Sequence, residues 1–187
     1  MTRDFTDQPV EQSVIEGCLE LATWSPSAGK SQGWHVVGLL GPDTSRYWDA
    51  ALPADRRGGF AFPGLLRAAF VGVFLADPDA YVARYSEPDK THTGLGVGTT
   101  AWSVPYWTVD ASMAAVTFLH AVEDAGLGAL FFAVANEENV RAALAVPSGM
   151  VMVGAVAVGH PAAQVRKGRS AGRPRRTGTE TVRWGGW

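Results

Sequence analysis

The sequence predicts an α+β fold built around one central sheet. Three observations lead there. Its 187 residues suffice for one substantial core and not for two comfortable domains. Apolar residues make up 47% and charged residues 18%, a globular balance and not a disordered one. Helical and strand patterns also alternate irregularly, as helix, strand, helices, strand, long helix, strand, helix, strand and tail, without internal repeat.

Each element has its own reason. Residues 10–24 place Val14, Ile15, Cys18, Leu19 and Ala22 at helical spacing, with Pro9 near the start and Pro26 at the end. Residues 34–40 form a compact apolar run before Gly41-Pro42, a strand and a turn. A short helix with Tyr47 and Trp48 follows. Residues 70–75 read as a buried strand stopped by Asp77-Pro78. From 81 to 104 the pattern dissolves around Pro88, Gly94, Gly96 and Gly98, which predicts a long, partly mobile excursion or lid.

Residues 106–125 form the longest helical pattern, apolar on most of its circumference. Such a helix lies at the centre of the molecule or at a subunit interface. Gly126-Leu127-Gly128 ends it. Residues 129–134 read as a strand, Asn136 as the N-cap of a helix over 137–144, and residues 150–158 as a fourth strand. Residues 162–187 form a basic extension of the single domain 1–187. Arg166, Lys167, Arg169, Arg173, Arg175, Arg176 and Arg183 face little more than Glu180 there.

The bulk numbers exclude several classes. A net charge of -2 gives no global pull toward nucleic acid or anionic membrane. The single cysteine, Cys18, rules out an internal disulfide and fits a reducing compartment. The first residues do not form a signal peptide, and the longest apolar runs are about half of a membrane span. The expectation is a soluble, cytoplasmic protein. The four histidines lack metal-ligand spacing, no GxSxG elbow is present, and Gly94-x-Gly96-x-Gly98 lacks the strand that a dinucleotide loop requires. Neither a metal site nor a catalytic dyad is predicted.

Two segments invite a ligand. Residues 25–34, Ser-Pro-Ser-Ala-Gly-Lys-Ser-Gln-Gly-Trp, offer small side chains, hydroxyls and backbone amides, although the same composition suits an ordinary helix-to-strand connection. The basic tail suits a phosphate clamp, a frayed terminus or a nucleic-acid contact, the last without aromatic interleaving elsewhere. The aromatics Trp102, Tyr106, Trp107, Phe131 and Phe132 suit a core as well as a cofactor wall.

Together these pieces resemble the nitroreductase family. The opening Arg3-Asp4-Phe5 is similar to the family's arginine-x-phenylalanine start. Residues 25–34 resemble its alanine-proline-serine, asparagine and glutamine-proline-tryptophan segment. Ala125-Gly126-Leu127-Gly128-Ala129 resembles its glycine-leucine-glycine segment, and Gly159-His160-Pro161 with the Trp-ended tail resembles its ending. The resemblance spreads over nearly the whole chain. It implies a three-layer fold with a mainly antiparallel sheet, an interlocked homodimer, FMN at the dimer interface, and electrons from NADH or NADPH passed by a ping-pong cycle to a small molecule.

Residue by residue, the resemblance implies cofactor contacts at Arg3, at Pro26, Ser27, Lys30 and Gln32, at Phe132 and Val134, and at Arg175 and Arg176. The loop residues come from the partner subunit in many members, and the arginine pair meets the FMN phosphate. Trp102, Tyr106, Trp107 and Phe131 are the implied substrate contacts. The flavin carries the chemistry, so no side chain is assigned a catalytic role. Lys30 stands where the family has asparagine, Gly33 where it has proline, and apolar residues 62–65 where many members have a polar and basic pair. A deazaflavin therefore stays open beside FMN. Within the oxidoreductase class, reduction of a planar nitro or quinone compound stands beside a biosynthetic dehydrogenation. A flavin-binding or storage protein without turnover is the reading from another class.

Overall fold

A computed structural model describes residues 1–163, 168 and 170–187. Four strands form one open, wholly antiparallel sheet in the order β1-β2-β4-β3. They are β1 (Trp34–Leu40), β2 (Phe70–Ala76), β3 (Gly128–Phe132) and β4 (Val151–Gly159). Beta-2 is buried along its whole length because it is central and both its faces are covered. That explains its unbroken apolar run, which an alternating pattern would not predict. Its pairing with β4 shifts register between Phe74 and Leu75.

The helices are α1 (Gln12–Ala22), α2 (Thr44–Ala51), α3 (Pro78–Tyr85), α4 (Tyr106–Asp124), α5 (Glu137–Ala143) and the four-residue α6 (Gly178–Thr181). Helices α1 and α4 cover one face of the sheet. There Phe74 and Phe118 meet with ring centroids 5.7 Å apart, among Ile15, Cys18, Ala114 and Val156. Helices α2 and α5 cover the other face, around Tyr47, Trp48, Leu65, Val71, Val140 and Ala157. The result is the three-layer α+β arrangement expected from the sequence.

The N-terminal segment runs beside the sheet. The Thr2 N–H donates to Ala129 O at 2.8 Å, Thr6 N–H to His160 O at 2.9 Å, and Ala162 N–H to Asp4 O at 3.0 Å. This braid brings Arg3 to the start of the tail. A Cβ at position 168 would lie 3.0 Å from the Arg3 guanidinium carbon. Of the predicted basic cluster, Arg166, Lys167 and Arg169 lie outside the described residues.

Three expectations change. Residues 81–85 belong to a helix and not to an irregular excursion. Asp77-Pro78, which stops β2, also starts α3: the Asp77 carboxylate accepts from the N–H groups of Asp79 and Ala80, with proline in the first turn. The helix is too short to show periodicity. Beyond it, residues 91–101 fold into three short 3-10 turns, tied by Ser86 Oγ–H to Gly96 O and by Trp102 Nε1–H to Leu95 O.

Asn136 does not cap α5 with its side chain. It adopts left-handed backbone angles (φ 50°, ψ 51°) instead of the extended ones a cap needs, and its side-chain amide donates to Ala51 O at 3.0 Å. Helix α4 is buried on one face only. Asp110, Ala111, Ala114, Ala115, Phe118, Ala121 and Val122 point inward, while Tyr106, Val109 and Val116 are exposed. Of the two places expected for this helix, the centre of the molecule is excluded within one protomer.

Candidate functional site

The loop after α1 gathers left-handed residues within a short stretch. Gly29, Lys30 and Gln32 all have positive φ, at 61°, 55° and 48°. For a residue with a Cβ this conformation costs roughly 1–2 kcal/mol. It persists only where the surroundings impose it. They do so from three sides. From α4, one carboxylate oxygen of Asp110 accepts from the Ala28 N–H at 2.7 Å. From α3, the Arg84 Nε–H donates to Gly29 O at 2.9 Å, and its guanidinium is held by Asp89 and Glu87. From within, the Gln32 N–H donates to Ser27 Oγ at 2.8 Å and its side-chain amide to Thr23 O at 3.1 Å. Gly29 also packs against Tyr85, where a Cβ would sit 2.9 Å from the ring.

Asp110 is a residue that sequence reasoning missed. It is 1% exposed, and no cation pairs with it among the described residues. The same oxygen that accepts from Ala28 also accepts from the Tyr81 hydroxyl at 2.7 Å. Burial, followed by this hydrogen bond, pushes the Tyr81 phenol well above its ordinary range, so it stays a donor. A signal was available: Asp110 is the lone acid on the helix face carried by Ala114, Phe118 and Ala121.

Above this network sits an aromatic cluster. Trp102 meets Tyr85 at 4.7 Å between centroids, Tyr81 at 5.8 Å, Trp107 at 6.0 Å and Tyr106 at 6.1 Å. Ala28, Tyr85, Trp102, Val104 and Tyr106 line a cavity of about 360 Å³ beside the loop. Three of the four substrate candidates, Trp102, Tyr106 and Trp107, are thus brought together. Phe131 is elsewhere: its ring covers Gly154 on the sheet, where a Cβ would be 2.3 Å away.

Of the remaining cofactor candidates, Phe132 and Val134 lie on the other side of the sheet. Phe132 stacks parallel to Trp48 (5.9 Å, 4°) in the layer of α2 and α5. Residues Tyr47, Trp48, Phe60, Leu65, Phe132 and Ala133 line a pocket of about 160 Å³. The Trp48 indole N–H is buried there without a partner among the described residues. Val134 follows β3, in an open segment. The backbone N–H groups of Ala133, Val134 and Ala135 make no backbone hydrogen bond among the described residues. Arg3 stacks on Phe62 at 5.7 Å. Arg175 and Arg176 are exposed, and Arg176 donates to Glu180 O within α6.

The candidates therefore form two half-sites, and none of the pockets described above contains both. One is the loop with Pro26, Ser27, Lys30 and Gln32. The other is the end of β3 with Phe132 and Val134, while Arg3 on Phe62 and the exposed Arg175 and Arg176 make no described contact with either. Pro26 opens instead onto an apolar groove along the outer face of α4, about 640 Å³, with Val109, Met113 and Val116. The donor set fits a planar, phosphate-bearing cofactor: exposed arginines for the phosphate, open backbone amides and aromatic rings for a flat heterocycle. Sequence reasoning also missed the buried indole N–H of Trp48, since an apolar residue in a short helix gives no sign of an unpaired donor.

An open antiparallel sheet between two helical layers, with a polar loop of left-handed residues after α1, defines an α+β protein. The sequence profile of the nitroreductase family matches residues 1–160, and the chain belongs to that family. It is 29% identical over 170 residues to a 5,6-dimethylbenzimidazole synthase of Rhodospirillum rubrum, covering 85% of this chain and 76% of that one. It is 25% identical over 166 residues to an Archaeoglobus fulgidus protein named as a candidate NADH dehydrogenase/NAD(P)H nitroreductase, covering 85% and 79%. Its fold superposes on a nitroreductase-like protein of Streptococcus mutans with a TM-score of 0.77 at 15% identity, covering 97% and 92%. It also superposes on an oxidoreductase containing FMN with a TM-score of 0.67 at 16% identity, covering 87% and 73%. Family membership supports an oxidoreductase. Among the described residues no helix is long and apolar enough to cross a membrane.

Proposed function

We propose that this protein is an FMN-dependent oxidoreductase that takes electrons from NADH or NADPH and passes them to a planar, electron-poor small molecule, working as a homodimer in the cytoplasm. The observation that carries this reading is the division of the ligand-facing residues into two half-sites that one protomer does not join. A second copy docked on the apolar groove of α4, which Pro26 also lines, would bring a partner surface beside the loop. The exposed Val109 and Val116 then have a reason to be apolar.

When bound, FMN supplies hydride acceptance and release. The chain's own residues bind, orient and exclude water. Arg175 and Arg176 would hold the phosphate with charge-assisted bonds. The amides at 133–135 would offer donors to the ring, Lys30 and Gln32 would come from the partner's loop, and Trp102, Tyr106 and Trp107 would cover the substrate.

The purified protein should be yellow, bleach on addition of NADH or NADPH, and recolour with a nitroaromatic or quinone. Light scattering should give a dimer at micromolar concentration, with an interface above roughly 2,000 Å². A colourless monomer that takes up no added FMN ends this reading. A yellow protein that neither nucleotide bleaches favours storage, and mass spectrometry of the released ligand separates FMN from a deazaflavin. A biosynthetic oxidation is the second reading, favoured by the 29% identity to a synthase. Turnover that consumes oxygen without NAD(P)H would support it.

A further inference from the structure

We propose that Asp110 is a positioning residue, which through its paired bonds from the Ala28 N–H and the Tyr81 hydroxyl holds the 27–32 loop in the conformation that presents Lys30 and Gln32 to the ligand. The proposal rests on the reading of that loop as a cofactor contact. It assigns a role to a side chain that touches neither the cofactor nor the substrate.

The argument begins with the cost of the arrangement. A carboxylate 1% exposed and without a cation is unfavourable for folding, because burial removes its hydration. Apolar packing would satisfy the α4 face better, as its neighbours Ala114 and Phe118 show. What the charge supplies is bond strength: hydrogen bonds to an ionised acceptor are roughly twice as strong as neutral ones. Both bonds converge on one oxygen, at 2.7 Å each.

Ala28 is the residue before the left-handed run. Fixing its N–H sets the direction in which Gly29 and Lys30 leave. Tyr81 in turn is wedged edge-on between Trp102 at 5.8 Å and Trp107 at 6.2 Å, which keeps its hydroxyl aimed at Asp110. The aromatic cluster over the candidate substrate cavity and the loop thus share one buried anchor.

The test is Asp110→Asn, which keeps the shape and an acceptor but removes the charge, alongside Tyr81→Phe. Hydrogen exchange of the unliganded protein should show the Ala28 amide opening about tenfold faster in Asp110→Asn, a change of one decade in the opening equilibrium. Trypsin should cut after Lys30 faster, while the amides of Val73 and Val156 in the sheet keep their protection. The thermal midpoint should stay or rise, since a buried charge has been removed. FMN titrated by fluorescence quenching should bind at least about threefold more weakly. Tyr81→Phe should move loop exchange, tryptic rate and FMN affinity in the same direction by a smaller factor.

An unchanged Ala28 exchange rate in both variants overturns the proposal. So does a loss of protection shared equally by the sheet, which makes Asp110 a plain core residue. Loosened loops with FMN affinity intact overturn the positioning role. A wild-type protein that binds no FMN refutes the cofactor reading and with it the positioning toward that ligand, while the exchange data still decide whether Asp110 fixes the loop.

Discussion

The loop at 27–32 and the tail beyond 170 carry the same kind of chemistry, small polar residues and cations, yet the fold holds them in opposite ways. The loop is gripped by Asp110, Arg84 and Thr23, residues contributed by α4, α3 and the end of α1, and it stores three left-handed residues. The tail is exposed and tied to itself. Thr177 and Glu180 form a capping box, Arg176 and Arg183 donate to Glu180 O, and Arg183 stacks on Trp187 at 5.5 Å. Strain can be kept in the loop because its surroundings over-determine it. Among the described residues the tail has no such surroundings. The loop's conformation is set by bonds from other elements, whereas the tail's bonds are its own.

The sharpest way to break this contrast is a matched pair of glycine substitutions. Gly29→Val meets both a φ of +61° and the Tyr85 ring, and should destabilise by about 2–3 kcal/mol in urea unfolding. Gly178→Val opens onto empty space in the tail and should change stability by less than about 0.5 kcal/mol. Equal costs would show that the loop is no more constrained than the tail.

Next in size is the tail's effect on the ligand. Replacing Arg175 and Arg176 by alanine should leave folding intact but weaken FMN at least about tenfold, because each charge-assisted bond contributes about 1.5–3 kcal/mol and 1.4 kcal/mol is one decade. Riboflavin, which lacks the phosphate, should lose far less. Similar losses for both ligands would move the tail's role from phosphate to structure.

Lys30→Met asks what the rigid loop presents. Lysine and methionine share the positive-φ cost, so only the charge differs. If the ammonium faces the pyrimidine edge, losing it should lower the midpoint potential of bound flavin by tens of millivolts, about 30 mV for each 1.4 kcal/mol. If it faces the phosphate, affinity falls with the potential nearly constant. If neither quantity moves, Lys30 is a surface residue.

The smallest effect lies in the tail's own cap. Hydrogen bonds from the Thr177 N–H and side chain hold the Glu180 carboxyl below its ordinary value. A folded value below the unfolded one means the box contributes above the ordinary glutamate range and is lost as pH falls through the lowered value. In an NMR titration, the Thr177 amide should shift with the Glu180 carboxyl on acidification, while Ala28 stays still. Movement of both together would mean that tail and loop are coupled.

What the sequence determined alone is whatever depends on neighbours along the chain. The apolar run at 34–40 forms β1 within those limits, glycines close α4, and the order of elements gives the α+β class. Spaced motifs carried the family. The tertiary structure decided the partners. Ala28 and Asp110 lie 82 positions apart, and Asn136 and Ala51 lie 85 apart, so no local pattern announces either bond. Which face of α4 is covered, and that the loop and Phe132 sit on different sides of the sheet, are equally non-local. Periodicity records that a residue is apolar. Only the packed chain determines what a buried polar atom must pair with, because burial removes water and leaves nearby atoms as the available partners.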